Sequence, residues 1–235
     1  GDSPTIGKAL LRKLVDSKAP DSLREAAMRE HVELAKPDDV EWYRFLWNLE
    51  QKQRKDDSGA IAPPELNTIR QLAFGALRPF LGEAELVETL KREFDPRIRR
   101  AALEWMRQQA MPGTLEMAEW VLGRVDLPGV DRAAAARIVA ERGGAKAAQE
   151  FFTLAKKRDV TQEGLRDTMA DLLAELRDDG IDKRAAKLIG KGKPHEKVFA
   201  LRASAKNDDP KVLAAVRKQL GDGDAEVRRA AARVL

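Results

Sequence analysis

Apolar residues along this chain recur inside a nine-residue frame: apolar, Arg, any, small, Ala, three of any kind, then Leu. Ile69 to Leu77 reads IRQLAFGAL, Ile98 to Met106 reads IRRAALEWM, and Val227 to Leu235 reads VRRAAARVL. Looser copies begin at Leu23, Val130, Leu165 and Val198. Positions 0, +3, +4 and +8 are apolar or small, which makes the buried stripe of an amphipathic helix. From Ile69 onward the frames start 29, 32, 35, 33 and 29 residues apart. A period in the thirties belongs to stacked helix pairs, each too small to bury its own apolar face. The expected fold is all-α, a right-handed α-solenoid of about seven stacked antiparallel helix pairs.

The first helix of each pair is predicted near residues 3–17, 37–51, 82–93, 112–124, 144–158, 180–190 and 208–220. The second is predicted near 20–34, 64–80, 95–110, 127–142, 161–178, 193–206 and 223–235. Pro4, Pro20, Pro37, Pro64, Pro96, Pro112, Pro128, Pro194 and Pro210 stand at or beside these starts, where a missing N–H costs nothing. Asp95, Thr161, Asp209 and Asp224 are predicted N-caps. A single domain over 1–235 is expected, irregular over 1–80 and regular over 81–235. The polar stretch from Gln51 to Pro64 lengthens the first frame spacing to 46 residues and is read as a long loop near 52–63. The chain starts at Gly1 rather than Met and stops on the last position of a frame, Leu235, so it reads as a piece of a longer protein.

Composition agrees with helix. Aromatics make up 5% of the 235 residues and charged residues 35%, with strong helix formers throughout. The 43% hydrophobic fraction is enough for a core. A net charge of +4, from 43 basic and 39 acidic side chains, gives only a weak pull toward acidic partners. The absence of cysteine excludes thiol catalysis, disulfides and cysteine zinc sites. No stretch approaches the ~20 apolar residues of a membrane span.

The segments Asp95-Pro-Arg-Ile98-Arg99-Arg-Ala-Ala102 and Asp224-Ala-Glu-Val227-Arg228-Arg-Ala-Ala231 resemble HEAT repeats, those of HEAT-like bacterial proteins in particular. Asp21 with Leu23-Arg24 and Ala27 is a looser match. The resemblance implies a structural ladder of Asp and Arg between adjacent repeats. The arginine is kept at Arg24, Arg70, Arg99, Arg166 and Arg228, but the frames put Asp131 and Phe199 in its place elsewhere. The copy at Val198 can also be framed from Leu201. The resemblance implies a noncatalytic scaffold or adaptor that binds another protein. The alternatives are a nucleic-acid-binding protein akin to HEAT-like alkylpurine DNA glycosylases, or an accessory helical domain of a larger enzyme.

Candidate contacts follow from the expected geometry. Frame positions +2 and +6 should face the inner surface of a solenoid, which nominates Arg100, Glu104 and Arg132. Trp42, Tyr43, Phe45 and Trp47 crowd one helix, which can seldom bury them all, so Trp42, Tyr43 and Trp47 are candidate interface anchors. Core packing competes with that role. Trp105 and Trp120 are expected to fill space between repeats. The stretch Lys183, Arg184, Lys187, Lys191, Lys193 and Lys197 is read as a solvated face, with contact to an anionic partner as its rival. Its Gly190-Lys191-Gly192-Lys193 lacks the spacing and preceding strand of a phosphate loop. His31 and His195 have no metal-spaced partner, and no HExxH, GxSxG or GxGxxG occurs. No catalytic residue, cofactor or metal is expected. The expected partner is a protein bound by a monomer in the cytoplasm; a mixed-sign inner face weighs against nucleic acid there.

Overall fold

The computed structural model describes residues 3–34, 36–53, 64–157, 164–176 and 179–235, and among them every regular element is helical. The chain divides into two compact units, Gly1–Met111 and Pro112–Leu235. The first holds α1 (Ser3–Val15), α2 (Asp21–Glu33), α3 (Val40–Gln53), α4 (Pro64–Leu77), α5 (Glu83–Arg92) and α6 (Pro96–Gln108). The second holds α7 (Thr114–Gly123), α8 (Gly129–Ala155), α9 (Leu165–Leu176), α10 (Asp179–Lys191), α11 (Pro194–Ala203), α12 (Pro210–Lys218) and α13 (Ala225–Val234). None of the helices among the described residues is long and apolar enough to cross a membrane.

The helix starts are written in the chain. Asp95 accepts a hydrogen bond from the Arg97 amide at 2.8 Å, Asp209 from Lys211 at 2.8 Å, and Asp224 from Glu226 at 2.8 Å. Each side chain thereby satisfies an amide that the first turn leaves without a partner. Pro96, Pro194 and Pro210 follow their caps at the first helical position. Pro112 does not, because α7 begins two residues later at Thr114. The expected cap Thr161 and most of the loop near 52–63 lie outside the described residues, while 51–53 continue α3.

α8 is two rods in one run. Gly144 adopts φ 52° and ψ −137°, a conformation that L side chains rarely take, and the helix breaks there. The break falls where one predicted helix ends and the next begins.

Within each unit the helices pack in two registers. In the first, α1 packs on α2, α3 on α4 and α5 on α6, while α2 also touches α4 and α4 touches α6. In the second, α8 lies on α7 and α9, α11 lies on α9, α10 and α13, and α10 touches α12. Of the stripe predicted for α6, Ile98, Ala102 and Met106 are buried, joined by Leu103, while Ala101 is half-buried.

On α2, α6, α8 and α13 one arginine fastens the helix to what precedes. Arg24 Nε donates to the carbonyl of Val15, the last residue of α1, at 2.9 Å. Arg99 Nη1 donates to the Glu93 carbonyl just past α5 at 2.5 Å. Arg228 Nη1 donates to the carbonyls of Asp222 and Gly223 at 2.7 and 3.0 Å, beyond α12. Arg132 Nε donates to the Leu122 carbonyl in the last turn of α7 at 2.9 Å. Helix C-termini leave carbonyls unsatisfied and carry the negative end of the dipole, so a guanidinium there answers both needs. For the buried Arg99 and Arg132 each such bond contributes about 1.5–3 kcal/mol.

These arginines lie four residues after the N-cap: Pro20 to Arg24, Asp95 to Arg99, Pro128 to Arg132 and Asp224 to Arg228. That count corrects two frames. In α8 the frame starts at Asp131 rather than Val130: Val130 is 54% exposed, while Asp131 and Arg132 are buried. In α11 the position belongs to Lys197, four after Lys193, and its Nζ pairs with Asp222 at 2.5 Å. The frames proposed from Val198 and Leu201 are therefore both displaced.

Arg70 makes the strongest version. Its Nε donates to the Trp47 carbonyl at 2.8 Å, and its Nη1 and Nη2 grip Glu93 at 2.8 and 2.6 Å, with both side chains buried. Glu93 also accepts from Trp47 Nε1 at 3.1 Å and from the Asp95 amide at 2.9 Å. This links α4 to the end of α5 through an arginine and a glutamate. Removing one member of a buried pair strands the other charge and costs about 3–5 kcal/mol.

Two stability outcomes follow, both read by thermal or urea unfolding. Arg70→Met should lose about 3–5 kcal/mol. Adding Glu93→Met should recover only part, because Trp47 Nε1 and the Asp95 amide then lack an acceptor. Gly144→Ala should lose about 1–3 kcal/mol through backbone strain alone, since open space surrounds the position.

Candidate functional site

The aromatic helix α3 is the densest feature of the first unit, and it is turned inward. Trp42 is 4% exposed, Tyr43 0% and Trp47 9%. The expectation that these three anchor a partner is therefore corrected. Each polar tip is satisfied inside the protein, which is what allows such side chains to be buried. Trp42 Nε1 donates to Asp16 at 3.2 Å, Tyr43 OH shares a 2.9 Å hydrogen bond with His31 Nδ1, and Trp47 Nε1 reaches Glu93. Their rings pack on His31 and Phe74, with centroids 4.4 Å apart for His31–Trp42 and 5.4 Å for Trp47–Phe74. Phe45, which has no polar tip to tie down, is left 54% exposed. The helix does fail to bury its whole set, but the residue it leaves out is Phe45.

A cleft of about 350 Å³ opens beside this cluster, lined by Lys8, Arg12, His31, Lys36 and Asp39 among others. Asp39 accepts from Lys8 Nζ and, at 2.8 Å, from the Lys36 amide. Burial pushes its carboxyl up, but these two donors and the Lys8 charge outweigh that and hold it below the usual carboxylate value. Burial pulls His31 below its ordinary 6.5; Lys8 and Arg12 add to this, against Asp39 and Asp16. Burial and the Asp39 charge push the Tyr43 hydroxyl up. Arg12 lies over the Trp42 ring, 4.9 Å from its centroid. At neutral pH the cluster is thus a neutral imidazole and a protonated phenol beside a closed Lys–Asp pair. It clamps α1, α2 and α3 together and presents no activated nucleophile. No group able to hold a metal ion exists among the described residues.

A second cleft, of about 400 Å³, is lined by Arg44, Trp47, Asn48, Glu85, Thr89 and Glu93. Arg44 bridges α3 to Glu85 of α5 at 2.5 Å, and its hydrogen bond holds the Glu85 carboxyl low against the effect of burial.

The nominated surface residues divide. Arg100 and Glu104 are half-buried on α6. Glu104 accepts from Arg107 at 2.7 and 2.8 Å and from Gln108 at 3.0 Å, and the Arg107 bond above all keeps it ionised. Arg132 is corrected: it is 0% exposed and bonded to Leu122, so it offers nothing to a partner. Trp105 and Trp120 are half-buried rather than core, each under a guanidinium, Arg78 at 5.0 Å and Arg124 at 4.8 Å. Sequence reasoning missed the Lys8–Asp39 and Arg70–Glu93 pairings. Their members stand 31 and 23 residues apart, with no motif to join them.

No family model matches this chain. No curated protein matches it either. Among solved structures, that of human deoxyhypusine hydroxylase in complex with glycerol aligns over 99% of this chain and 97% of its own, at 17% identity and a TM-score of 0.40. At that score the likeness carries no argument.

The buried imidazole makes a pH signature. Because its folded pKa lies below the unfolded 6.5, the unfolded state binds more protons as pH falls, and stability drops as pH falls below about 6.5. Melting curves from pH 7.5 to about 5 should show that decline. In His31→Asn the curve should start lower and be flatter across the same window.

Proposed function

We propose that this protein is a noncatalytic HEAT-like scaffold that binds another protein through the surface of its second helices together with Phe45 of α3. In this reading the helix pairs form a right-handed stack of about seven. The observation that carries it is the side-by-side packing of successive second helices, α2, α4 and α6 in one unit and α9, α11 and α13 in the other. Polar links tie neighbours together: Gln71 Nε2 reaches Asp95 at 3.0 Å, and Arg202 holds Asp167 and Asp171 at 2.8 and 2.6 Å. A surface fixed in advance loses little conformational entropy when a partner arrives.

Arg100 and Glu104 supply charge of both signs on α6, and that pattern discriminates between protein partners more than it adds raw affinity. Phe45 takes over the anchoring role first assigned to Trp42, Tyr43 and Trp47, on the opposite member of a pair.

The test uses the chain as bait in the native source, with Arg100→Glu, Glu104→Arg and Phe45→Ser beside the wild type. A discrete protein should be retained by the wild type at physiological salt. Reversal of either α6 charge should weaken that complex about tenfold or more, the effect of a ~1.4 kcal/mol contact. Equal binding by all variants would refute the assigned surface.

A further inference from the structure

Among the described residues, the lysines on the outward face of α10 close no ion pair. Ile181, Ala185 and Ile189 are buried and set the inward direction. At 3.6 residues per turn, Lys183, Arg184, Lys187 and Lys191 fall on the other side, and all four are exposed. Lys183, Lys187 and Lys191 form an i, i+4, i+8 row rising about 12 Å along the helix. Like charges at that spacing repel and weaken a helix. The dipole welcomes Lys191 at the C-terminal end, but not Lys183, one turn from the N-terminus.

Elsewhere the same spacing is used to neutralise. Arg29 closes on Glu25 at 2.5 Å and Arg92 on Glu88 at 3.0 Å. Between helices, Lys146 closes on Glu119 at 2.8 Å and Arg202 on Asp171 at 2.6 Å. Among the described residues, Lys183, Lys187 and Lys191 close no ion pair, and only Arg184 has a weak contact, 3.5 Å to Gln149. The neighbouring helix α12 adds exposed Lys211, Arg217 and Lys218 and has no carboxylate of its own.

We propose that this face of the second unit binds the phosphate backbone of duplex nucleic acid, without reading its sequence. The chemistry of the face selects that occupant. Lysines act as point charges toward phosphates and carry no base readout. α10 has no aromatic side chain on which unpaired bases could stack. It exposes no large apolar residue to enter a bilayer or to anchor a protein interface. Exposed lysines that close no ion pair among the described residues complement a polyanion in solution. The assignment is independent of the protein-binding surface, since it involves none of Phe45, Arg100 and Glu104.

The experiment is fluorescence anisotropy of a short labelled DNA duplex titrated with the whole chain, between about 50 and 200 mM salt. The wild type should bind at low salt, with a slope of log K against log salt of about −4 or steeper. Lys183→Gln with Lys187→Gln and Lys191→Gln should flatten the slope by about 3, roughly 0.9 for each phosphate no longer neutralised. The corresponding triple change to Arg should restore it. The triple Gln variant should melt no lower than wild type, since repulsion has been removed. Lys13→Gln with Lys91→Gln, and the Arg100→Glu variant, should leave the slope unchanged. Absence of binding at low salt, or an unchanged slope in the triple Gln variant, would overturn the proposal. So would tighter binding to phosphatidylserine vesicles or to polyglutamate than to the duplex.

Discussion

A helix C-terminus presents carbonyls with no donor, at the negative end of the helix dipole, and a chain built of short paired helices has many such ends. This chain meets the problem with a repeated device, an arginine placed four residues past the N-cap of the following helix. Arg24, Arg99, Arg132 and Arg228 reach back to the carbonyls at or just beyond the helix before them. One side chain therefore terminates the first helix, orients the second and fixes the phase of its buried stripe. Short helices are marginal on their own, and pairing makes them a unit that can stack.

The second pair of the first unit shows what that requirement does to polar and aromatic residues. Arg70 and Glu93 bind each other inside the protein, and Glu93 also serves Trp47 and Asp95. The aromatic tips of Trp42, Tyr43 and Trp47 are spent on such contacts, so the helix with most aromatic area exposes only Phe45 among its aromatics. Residues that looked like binding anchors are fastenings. Ion pairs such as Arg202–Asp171 and Lys146–Glu119 cross-link parts of the surface, whereas among the described residues Lys183, Lys187 and Lys191 of α10 close none.

Much of the fold was legible because caps, prolines and the stripe agree. α6 and α13 have an Asp cap and an apolar row in phase, and they begin within a residue or two of expectation. The break at Gly144 was readable from paired glycines between two helical patterns. Register failed where the stripe carries no phase: Ala133 to Ala136 fits a buried face in any rotation, and only the distance from Pro128 identifies Arg132 as the fastening. Around Val198 apolar residues are adjacent rather than spaced, with the same result. The site was less legible than the fold. Burial of Trp42 and Tyr43 depends on His31 and Asp16 from earlier in the chain, and no local pattern announces such a meeting.

The most direct test is amide hydrogen exchange, resolved by segment, on Arg132→Met beside the wild type. Methionine keeps the apolar stem and removes the donors. If the guanidinium holds α7 and α8 together, exchange should quicken in the last turn of α7 and the first turns of α8, while α13, fastened by Arg228, stays protected. Unchanged protection at the end of α7, or a loss spread evenly over the chain, would contradict the account.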